Sequence, residues 1–156
     1  MSTKEREERK RKLLIKRKFL ADKRKLDKFL SDKTSLNDYF KQKIFEYSEL
    51  EAVTDTYNGI HYFYKELEKD ISQLSSIIQS NGIKKGDFVS IFSENNGRWI
   101  VMEQAVLRCG AVCTLRGSGA PVEELDFILR HSESKALIIE NIKTLNKLLP
   151  YLKITI

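Results

Sequence analysis

The chain has 156 residues, 41% of them hydrophobic and 32% charged, which leaves room for one ordinary domain and excludes two large ones. Its net charge of +6 is uneven: residues 1–43 carry +9 and residues 44–156 carry −3, and an acidic body argues against nucleic-acid binding. Apolar runs such as Ala136-Leu-Ile-Ile are too short to span a bilayer, and no secretory signal is present, so we expect a cytoplasmic protein.

Residues 1–33 form a basic leader that is rich in good helix formers. Ile15, Phe19, Leu26 and Leu30 recur at spacings of four and seven, which indicates a narrow apolar stripe on a basic helix. We predict a solvated helix or a disordered segment. A helix lying on an anionic membrane surface is the second interpretation. Contact with RNA or DNA is the third interpretation. It ranks last because no pattern of a known nucleic-acid-binding module accompanies the charge.

A helix, a hairpin and a second helix are predicted next. Ser35-x-x-Asp38 is a helix-start signal that leads into an apolar segment. Asn58-Gly59 has β-forming residues on both sides, which predicts a β-hairpin closed by a type I′ turn. The following helix runs from Lys65 to about Ser80 with one apolar face, and Asn81-Gly82 predicts a left-handed cap at its end.

From residue 88 onward, short apolar strands alternate with helices of about ten residues. In chain order the predicted elements are strand Phe88–Phe92, helix Arg98–Cys109, strand Ala111–Leu115, helix Val122–His131, strand Ala136–Ile139, helix Ile142–Leu149 and a strand that begins at Leu152. This alternation predicts an α/β fold with a partial doubly wound parallel sheet. Because the chain ends within an apolar strand, we expect a truncated domain whose open edge at Ile154-Thr-Ile favours aggregation.

The glycine-rich segment Arg116-Gly-Ser-Gly-Ala-Pro lies between a predicted strand and a predicted helix. Glycines at such a junction let backbone N–H groups and a helix N-terminus bind a phosphate. Here Val122 replaces the third glycine of the dinucleotide-binding pattern. Glu123 and Glu124 in the first helical turn satisfy the helix dipole and repel an anion. We therefore predict a connecting loop before a capped helix.

Other polar and aromatic residues also have structural interpretations. Glu94-Asn95-Asn96 follows a strand at the edge where open α/β sheets bind ligands, and we predict turn and N-cap roles for it. His61 and His131 have no partner at the spacing of a catalytic triad or a metal site, so we expect them to be structural or exposed. Trp99 is expected to pack its helix onto the sheet.

Cys109 and Cys113 are the two cysteines of the chain. They are too few for a disulfide framework, and no histidine or further cysteine lies nearby in sequence to complete a metal site. We predict two small buried thiols. From the residues alone we assign no catalytic, cofactor-binding or metal-binding residue to this chain.

Several segments together carry a family resemblance that covers residues from about Thr34 onward. They are Tyr62-Phe-Tyr-Lys-Glu-Leu, Gly82-Ile-Lys-Lys-Gly-Asp, Phe92-Ser-Glu-Asn-Asn-Gly-Arg-Trp, Gly110-Ala-Val and Glu124-Leu-x-x-Ile-Leu-x-x-Ser-x-x-Lys-Ala. In this order they resemble the N-terminal portion of the long-chain acyl-CoA synthetases, which belong to the AMP-binding, adenylate-forming ligases. Arg116-Gly-Ser resembles the variant found in bacterial long-chain acyl-CoA and acyl-carrier-protein synthetases.

The resemblance implies that residues 34–156 are a truncated N-terminal part of an AMP-binding domain. It also implies a parent reaction in which ATP and Mg²⁺ activate a fatty acid to an acyl-adenylate, and CoA or an acyl carrier protein accepts the acyl group. The family's phosphate loop, its Tyr-Gly-x-Thr-Glu motif, its ribose-binding aspartate and its C-terminal lysine are missing from this sequence.

We therefore expect a fragment of a long-chain fatty acid–CoA ligase that is inactive alone and binds no cofactor itself. Fatty acid and CoA are implied as partners for the parent family only, and whether this chain is an enzyme stays open. The alternative is a non-enzymatic binding module, in which residues 1–33 form a basic arm that contacts a membrane surface or a partner.

Overall fold

The computed structural model describes residues 21–25, 27–28 and 35–152. The chain divides into two compact units, residues 1–42 and residues 43–156. In the first unit, residues 21–25 and 27–28 are helical. Most of the predicted basic arm and the strand predicted beyond Leu152 lie outside the described residues. Among the helices that are described, none is both long and apolar enough to cross a bilayer.

Helix α1 spans Leu36–Glu46 and begins at the predicted signal. The backbone N–H of Asp38 donates to Ser35 Oγ at 3.1 Å, and the backbone N–H of Ser35 donates to Asp38 Oδ2 at 3.3 Å. This reciprocal pair satisfies donors that the first turn of a helix leaves without intrahelical partners.

Strands β1 (Glu51–Asp55) and β2 (Ile60–Phe63) form the predicted antiparallel hairpin, but its turn differs from the prediction. Asp55 pairs directly with Ile60, and Gly59 has a positive φ of 64° whereas Asn58 does not. A type I′ turn needs a positive φ at both central residues, so that prediction is wrong. The Asp55 carboxylate stabilises a wider loop by accepting the backbone and side-chain N–H groups of Asn58 at 3.0 and 2.8 Å.

Helix α2 spans Tyr64–Ser80 and buries the predicted apolar face, with Leu67, Ile71 and Ile78 in the core. It ends as predicted, because Gly82 adopts a φ of 87° that an L-residue rarely tolerates.

A three-stranded parallel sheet follows, and the chain crosses it twice. Its elements in chain order are β3 (Phe88–Phe92), α3 (Gly97–Arg108), β4 (Val112–Arg116), α4 (Val122–His131), β5 (Ala136–Ile139) and α5 (Ile142–Leu148). The strand order is β4-β3-β5, so the chain steps from β3 to one side and then returns past it to the other. Leu125 of α4 packs with Phe92 on one face, and Cys113 on the other face lies 3.8 Å from the Glu103 oxygen of α3, which confirms the doubly wound α/β fold.

Both faces of the sheet are covered by a core. On one face the buried side chains of Phe92, Leu125 and Leu148 form a cluster. Side chains alternate along a strand, so Val89 and Ile91, both fully buried, lie on the opposite face of β3. Burial on both faces explains why β3 is almost continuously apolar.

One buried ion pair joins α2 to α3. The Arg108 guanidinium donates to both carboxylate oxygens of Glu68, at 2.6 and 2.7 Å, and to the hydroxyl of Ser72 at 2.7 Å. Only 9% of the Arg108 side chain is exposed, whereas 34% of the Glu68 side chain is exposed. The pair therefore fixes one rotamer of a long side chain between two helices that pack against each other.

Candidate functional site

The carboxyl ends of β3, β4 and β5 meet at one edge of the sheet, followed by the loops 93–96, 117–121 and 140–141. Open α/β sheets bind ligands at this edge. Two cavities open here, with volumes of about 190 and 330 Å³. The larger cavity is lined by polar loop residues together with Trp99 and Leu115. Trp99 is thus half-buried against this cavity, whereas Val101, Ala105 and Val106 are the buried hydrophobic residues of the same helix.

The glycine-rich loop closes around the carboxylate of Glu94. Glu94 Oε1 accepts the backbone N–H of Gly119 at 2.9 Å and lies 3.4 Å from the Ser118 hydroxyl oxygen. A Cβ atom at Gly117 would lie only 3.0 Å from the same oxygen, so a larger residue there would press on this carboxylate. The backbone donor that a phosphate would need is therefore bound by a carboxylate of the protein.

A second carboxylate, that of Glu140, ties the three loops together. Its Oε2 atom accepts the Ser118 hydroxyl at 2.6 Å and the backbone N–H of Glu94 at 3.1 Å. The Asn96 side chain donates to its Oε1 atom at 3.4 Å. Two negative charges thus surround the one hydroxyl of this loop, and both would repel an anionic ligand.

Arg116 is directed to the following helix and not to the loop. Its Nε donates to Glu124 Oε1 at 2.7 Å, and a terminal nitrogen donates to Oε2 at 3.2 Å. These hydrogen bonds and the charge of Glu124 raise the pKa of Arg116, and Arg116 lowers the pKa of Glu124 in turn. Glu94 and Glu124 thus engage the Gly119 N–H and the Arg116 guanidinium, and the segment forms a connection before α4, whose N-cap residue Pro121 makes no side-chain cap hydrogen bond.

The first turn of α3 has the predicted cap. Asn96 Oδ1 accepts the backbone N–H of Trp99 at 2.9 Å. In addition, Asp55 of the hairpin accepts the backbone N–H of Gly97 at 3.1 Å, which places a carboxylate at the positive end of the helix dipole. The backbone N–H groups of Gly97 and Trp99 are therefore satisfied from within the chain.

The two histidines lie apart from this edge and are exposed, as expected. His61 Nδ1 is 3.3 Å from Glu51 Oε1 on the hairpin. The ring of His131 stacks on Phe127 with centroids 5.3 Å apart. Within the described ranges, no three His, Cys, Asp or Glu side chains are grouped so that they could hold a metal ion.

Both cysteines are unpaired thiols without the surroundings of a nucleophile. Cys109 is buried, and its Sγ lies 3.2 Å from the backbone oxygen of Ala105. Cys113 is half-buried, with its Sγ 3.8 Å from the backbone oxygen of Glu103. Burial raises the pKa of both thiols, and burial together with the charge of Glu103 raises the pKa of Cys113 to about 12. Thiols of this kind are chemically inert near neutral pH.

Alkylation of Cys113 tests this environment. At pH 9 an unfolded cysteine with the ordinary pKa of 9.0 is half ionised, so we expect native Cys113 to react with iodoacetamide on the order of several hundredfold more slowly than in urea. The same shift makes the free energy of unfolding depend on pH. Because the pKa of Cys113 is higher in the native state, its contribution to that free energy is complete below pH 9 and is lost as the pH rises toward 12. Peptide mass spectrometry measures the alkylation of each cysteine separately. Equal alkylation rates of Cys113 in the native and unfolded states would contradict a buried thiol with a raised pKa.

Sequence reasoning missed the contacts that organise this edge. The Glu94–Glu140 arrangement joins residues 46 positions apart, and no spacing rule relates them. A partial signal exists, because each glutamate lies within two residues of the end of a strand, and parallel strands bring their carboxyl ends together.

Comparison with known proteins identifies the family. The model of the AMP-binding enzyme family matches residues 40–155. The chain belongs to the AMP-binding enzyme family. It is 32% identical over 120 residues to the long-chain-fatty-acid–acyl-carrier-protein ligase AEE15, chloroplastic, of Arabidopsis thaliana, which covers 76% of this chain and 16% of that protein. It is 31% identical over 93 residues to the putative acyl-CoA synthetase YngI of Bacillus subtilis (strain 168), covering 60% of this chain and 17% of YngI.

Two solved structures share the fold. The inhibitor-bound N-terminal domain of FACL13 from Mycobacterium tuberculosis has a TM-score of 0.66 and 20% identity, and the match covers 70% of this chain and 28% of that one. The N-terminal subdomain of Klebsiella oxytoca NpsA has a TM-score of 0.62 and 24% identity, with 69% and 28% covered. The chain thus corresponds to an N-terminal portion of adenylate-forming enzymes and spans about one sixth of the curated relatives that it matches.

Proposed function

We propose that this chain is the N-terminal part of a cytoplasmic ligase that activates fatty acids with ATP and passes the acyl group to a thiol. Its family membership supports adenylate formation as the reaction of the parent enzyme. The similarity to a protein named as a long-chain-fatty-acid–acyl-carrier-protein ligase supports a fatty acid as the substrate. In this proposal ATP, Mg²⁺ and CoA are bound by parts of the parent enzyme that this chain does not contain.

Within the parent enzyme, the described residues act as scaffold, and the chain does not catalyse adenylation by itself. The observation that carries this proposal is that two carboxylates of the protein bind donors of the segment 116–121. Glu94 accepts the Gly119 N–H, and Glu124 accepts the Arg116 guanidinium. Acyl-adenylate formation requires cations and N–H donors directed at the phosphates of ATP. At this edge of the sheet the protein has already paired the Gly119 N–H and the Arg116 guanidinium.

Pyrophosphate release by the purified full chain tests the absence of activity. With ATP, Mg²⁺, palmitate and CoA or acyl carrier protein, we expect no fatty-acid-dependent pyrophosphate above the protein-free blank. The full-length Arabidopsis relative serves as the positive control. Fatty-acid-dependent pyrophosphate that co-purifies with the chain would contradict the proposal.

A chimera tests the scaffold role. The segment of the Arabidopsis relative that matches this chain is replaced by residues 40–155, the range that matches the family model. We expect the chimera to release pyrophosphate with palmitate, and a version that lacks the segment to release none. A chimera that melts like the parent relative but lacks activity would show that these residues are not interchangeable scaffold.

A further inference from the structure

Strand β4 has one edge without a partner strand in the part of the chain that the structure describes. Among the strands that the structure describes, it pairs with β3 only. The N–H of Val112 and the C=O of Arg116 are bonded toward β3, at 2.8 and 3.1 Å. Backbone groups alternate in direction along a strand, so the N–H and C=O groups of Cys113 and Leu115 are directed to the open side. This edge therefore presents a regular row of backbone donors and acceptors.

The open edge lacks the features that usually protect one. Its five residues keep an unbroken register with β3, so no bulge twists it away. The strand contains no Pro, Lys, Asp or Glu. Val112 and Leu115 lie on opposite faces of the sheet and are 41% and 40% exposed. Natural proteins use bulges, prolines and charges to prevent pairing at an edge, and here the edge is regular, apolar on both faces and accessible.

We infer that this edge pairs with the same strand of a second copy of the chain, antiparallel and centred on Thr114. The centre follows from the backbone directions: Cys113 and Leu115 of the two copies would form hydrogen-bonded pairs, and the two Thr114 residues a non-hydrogen-bonded pair. The register also uses the full length of the strand from Val112 to Arg116. The product would be one continuous six-stranded sheet with a two-fold axis at its centre.

Charge favours the antiparallel arrangement. Arg116 is the only charged residue of β4. In the antiparallel register the two Arg116 residues lie at opposite ends, roughly 14 Å apart along the strand direction, and each faces Val112 of the other copy. A parallel in-register pair would place the two guanidinium groups side by side, which is destabilising. Each Arg116 also keeps Glu124 of its own chain as its partner.

The mass of the full chain in solution tests this inference. We expect light scattering after size exclusion to give twice 18.2 kDa at micromolar concentration, falling toward 18.2 kDa on dilution. Leu115→Lys places a charge at the edge and is expected to raise the dimer dissociation constant about tenfold or more. The matched control is Ile77→Lys on α2, which is more exposed than Leu115 and should leave the mass unchanged. A monomer at every concentration, or a dimer that Leu115→Lys does not weaken, would overturn the inference.

A disulfide tests the register. Directly opposed residues have Cβ atoms about 4.5–5.5 Å apart, close to the separation that a disulfide requires, so Thr114→Cys should give a covalent dimer under mild oxidation. Ile77→Cys and the unmodified chain, which retains Cys109 and Cys113, are the controls on a non-reducing gel. A cross-link no stronger than in these controls would exclude the Thr114-centred register. Monomers whose β4 is covered by another segment, and open-ended aggregates without the cross-link, both contradict the proposal.

Discussion

Replacing Phe92 by alanine is expected to lower the free energy of unfolding by about 3–5 kcal/mol. Phe92 is fully buried in the centre of the sheet and forms a cluster with Leu125 and Leu148. Its removal deletes a whole aromatic ring and leaves a cavity that two helices and a central strand cannot close without losing their own contacts. A small domain is stable by only about 5–15 kcal/mol, so this single change removes a large share of its stability.

Urea denaturation of Phe92→Ala and of Phe127→Ala measures this effect with a matched control. Phe127 has the same side chain but is 62% exposed, on the outer side of α4. We expect Phe127→Ala to change the unfolding free energy by about 0.5 kcal/mol or less. Similar losses of unfolding free energy for the two variants would mean that the buried cluster on this face of the sheet stabilises the fold no more than an exposed phenylalanine does.

Replacing Arg108 by methionine is expected to cost about 2 kcal/mol. The change removes three charge-assisted hydrogen bonds and leaves Glu68 without this partner. Two features keep the loss below the 3–5 kcal/mol of a fully buried pair. Glu68 retains access to water, and Arg108 Nε is buried without an acceptor among the described residues, so methionine also removes an unsatisfied donor.

A double-mutant cycle with Glu68→Gln separates the pair energy from packing. We expect the double variant to lose less stability than the sum of the two single variants, because neither then leaves a charge without its partner. Arg130→Met is the surface control. The Arg130 side chain is 52% exposed and forms an i,i+4 pair with Asp126 on α4, and such pairs contribute only about 0.3–0.5 kcal/mol. Equal losses at Arg108 and Arg130 would contradict a structural role for the buried pair.

Local pattern was sufficient to predict most elements. The bounds predicted for β3, α4 and β5 agree with the structure, because β3 and β5 are short apolar runs and α4 is a periodic segment, each between clear turn residues. The hairpin at residues 51–63 was also predicted, but its turn was not. The preference of Asn-Gly for a type I′ turn is a local tendency, and the Asp55 carboxylate, which bonds Asn58 and Gly97 at the same time, outweighs it.

The edge of the sheet shows the limit of such reasoning. The sequence of the segment 116–121 allows two interpretations, a phosphate site or a connecting loop, and the glutamates that follow it favour the connecting loop. The partner of its backbone donor is Glu94, in the loop that follows another strand. In the same way, nothing in the spacing of Arg108 and Glu68 predicts that they meet, because they are 40 residues apart on different helices.

By itself the amino-acid sequence determined the alternation of strands and helices, the parallel sheet and the family, since each depends on local periodicity and on ordered motifs. Only the tertiary structure decided which donors are already satisfied, which strand edge is open and which charges are paired. The physical reason is that hydrogen bonds and ion pairs between distant segments depend on how the sheet and helices are assembled, and the pattern along one segment does not contain that geometry.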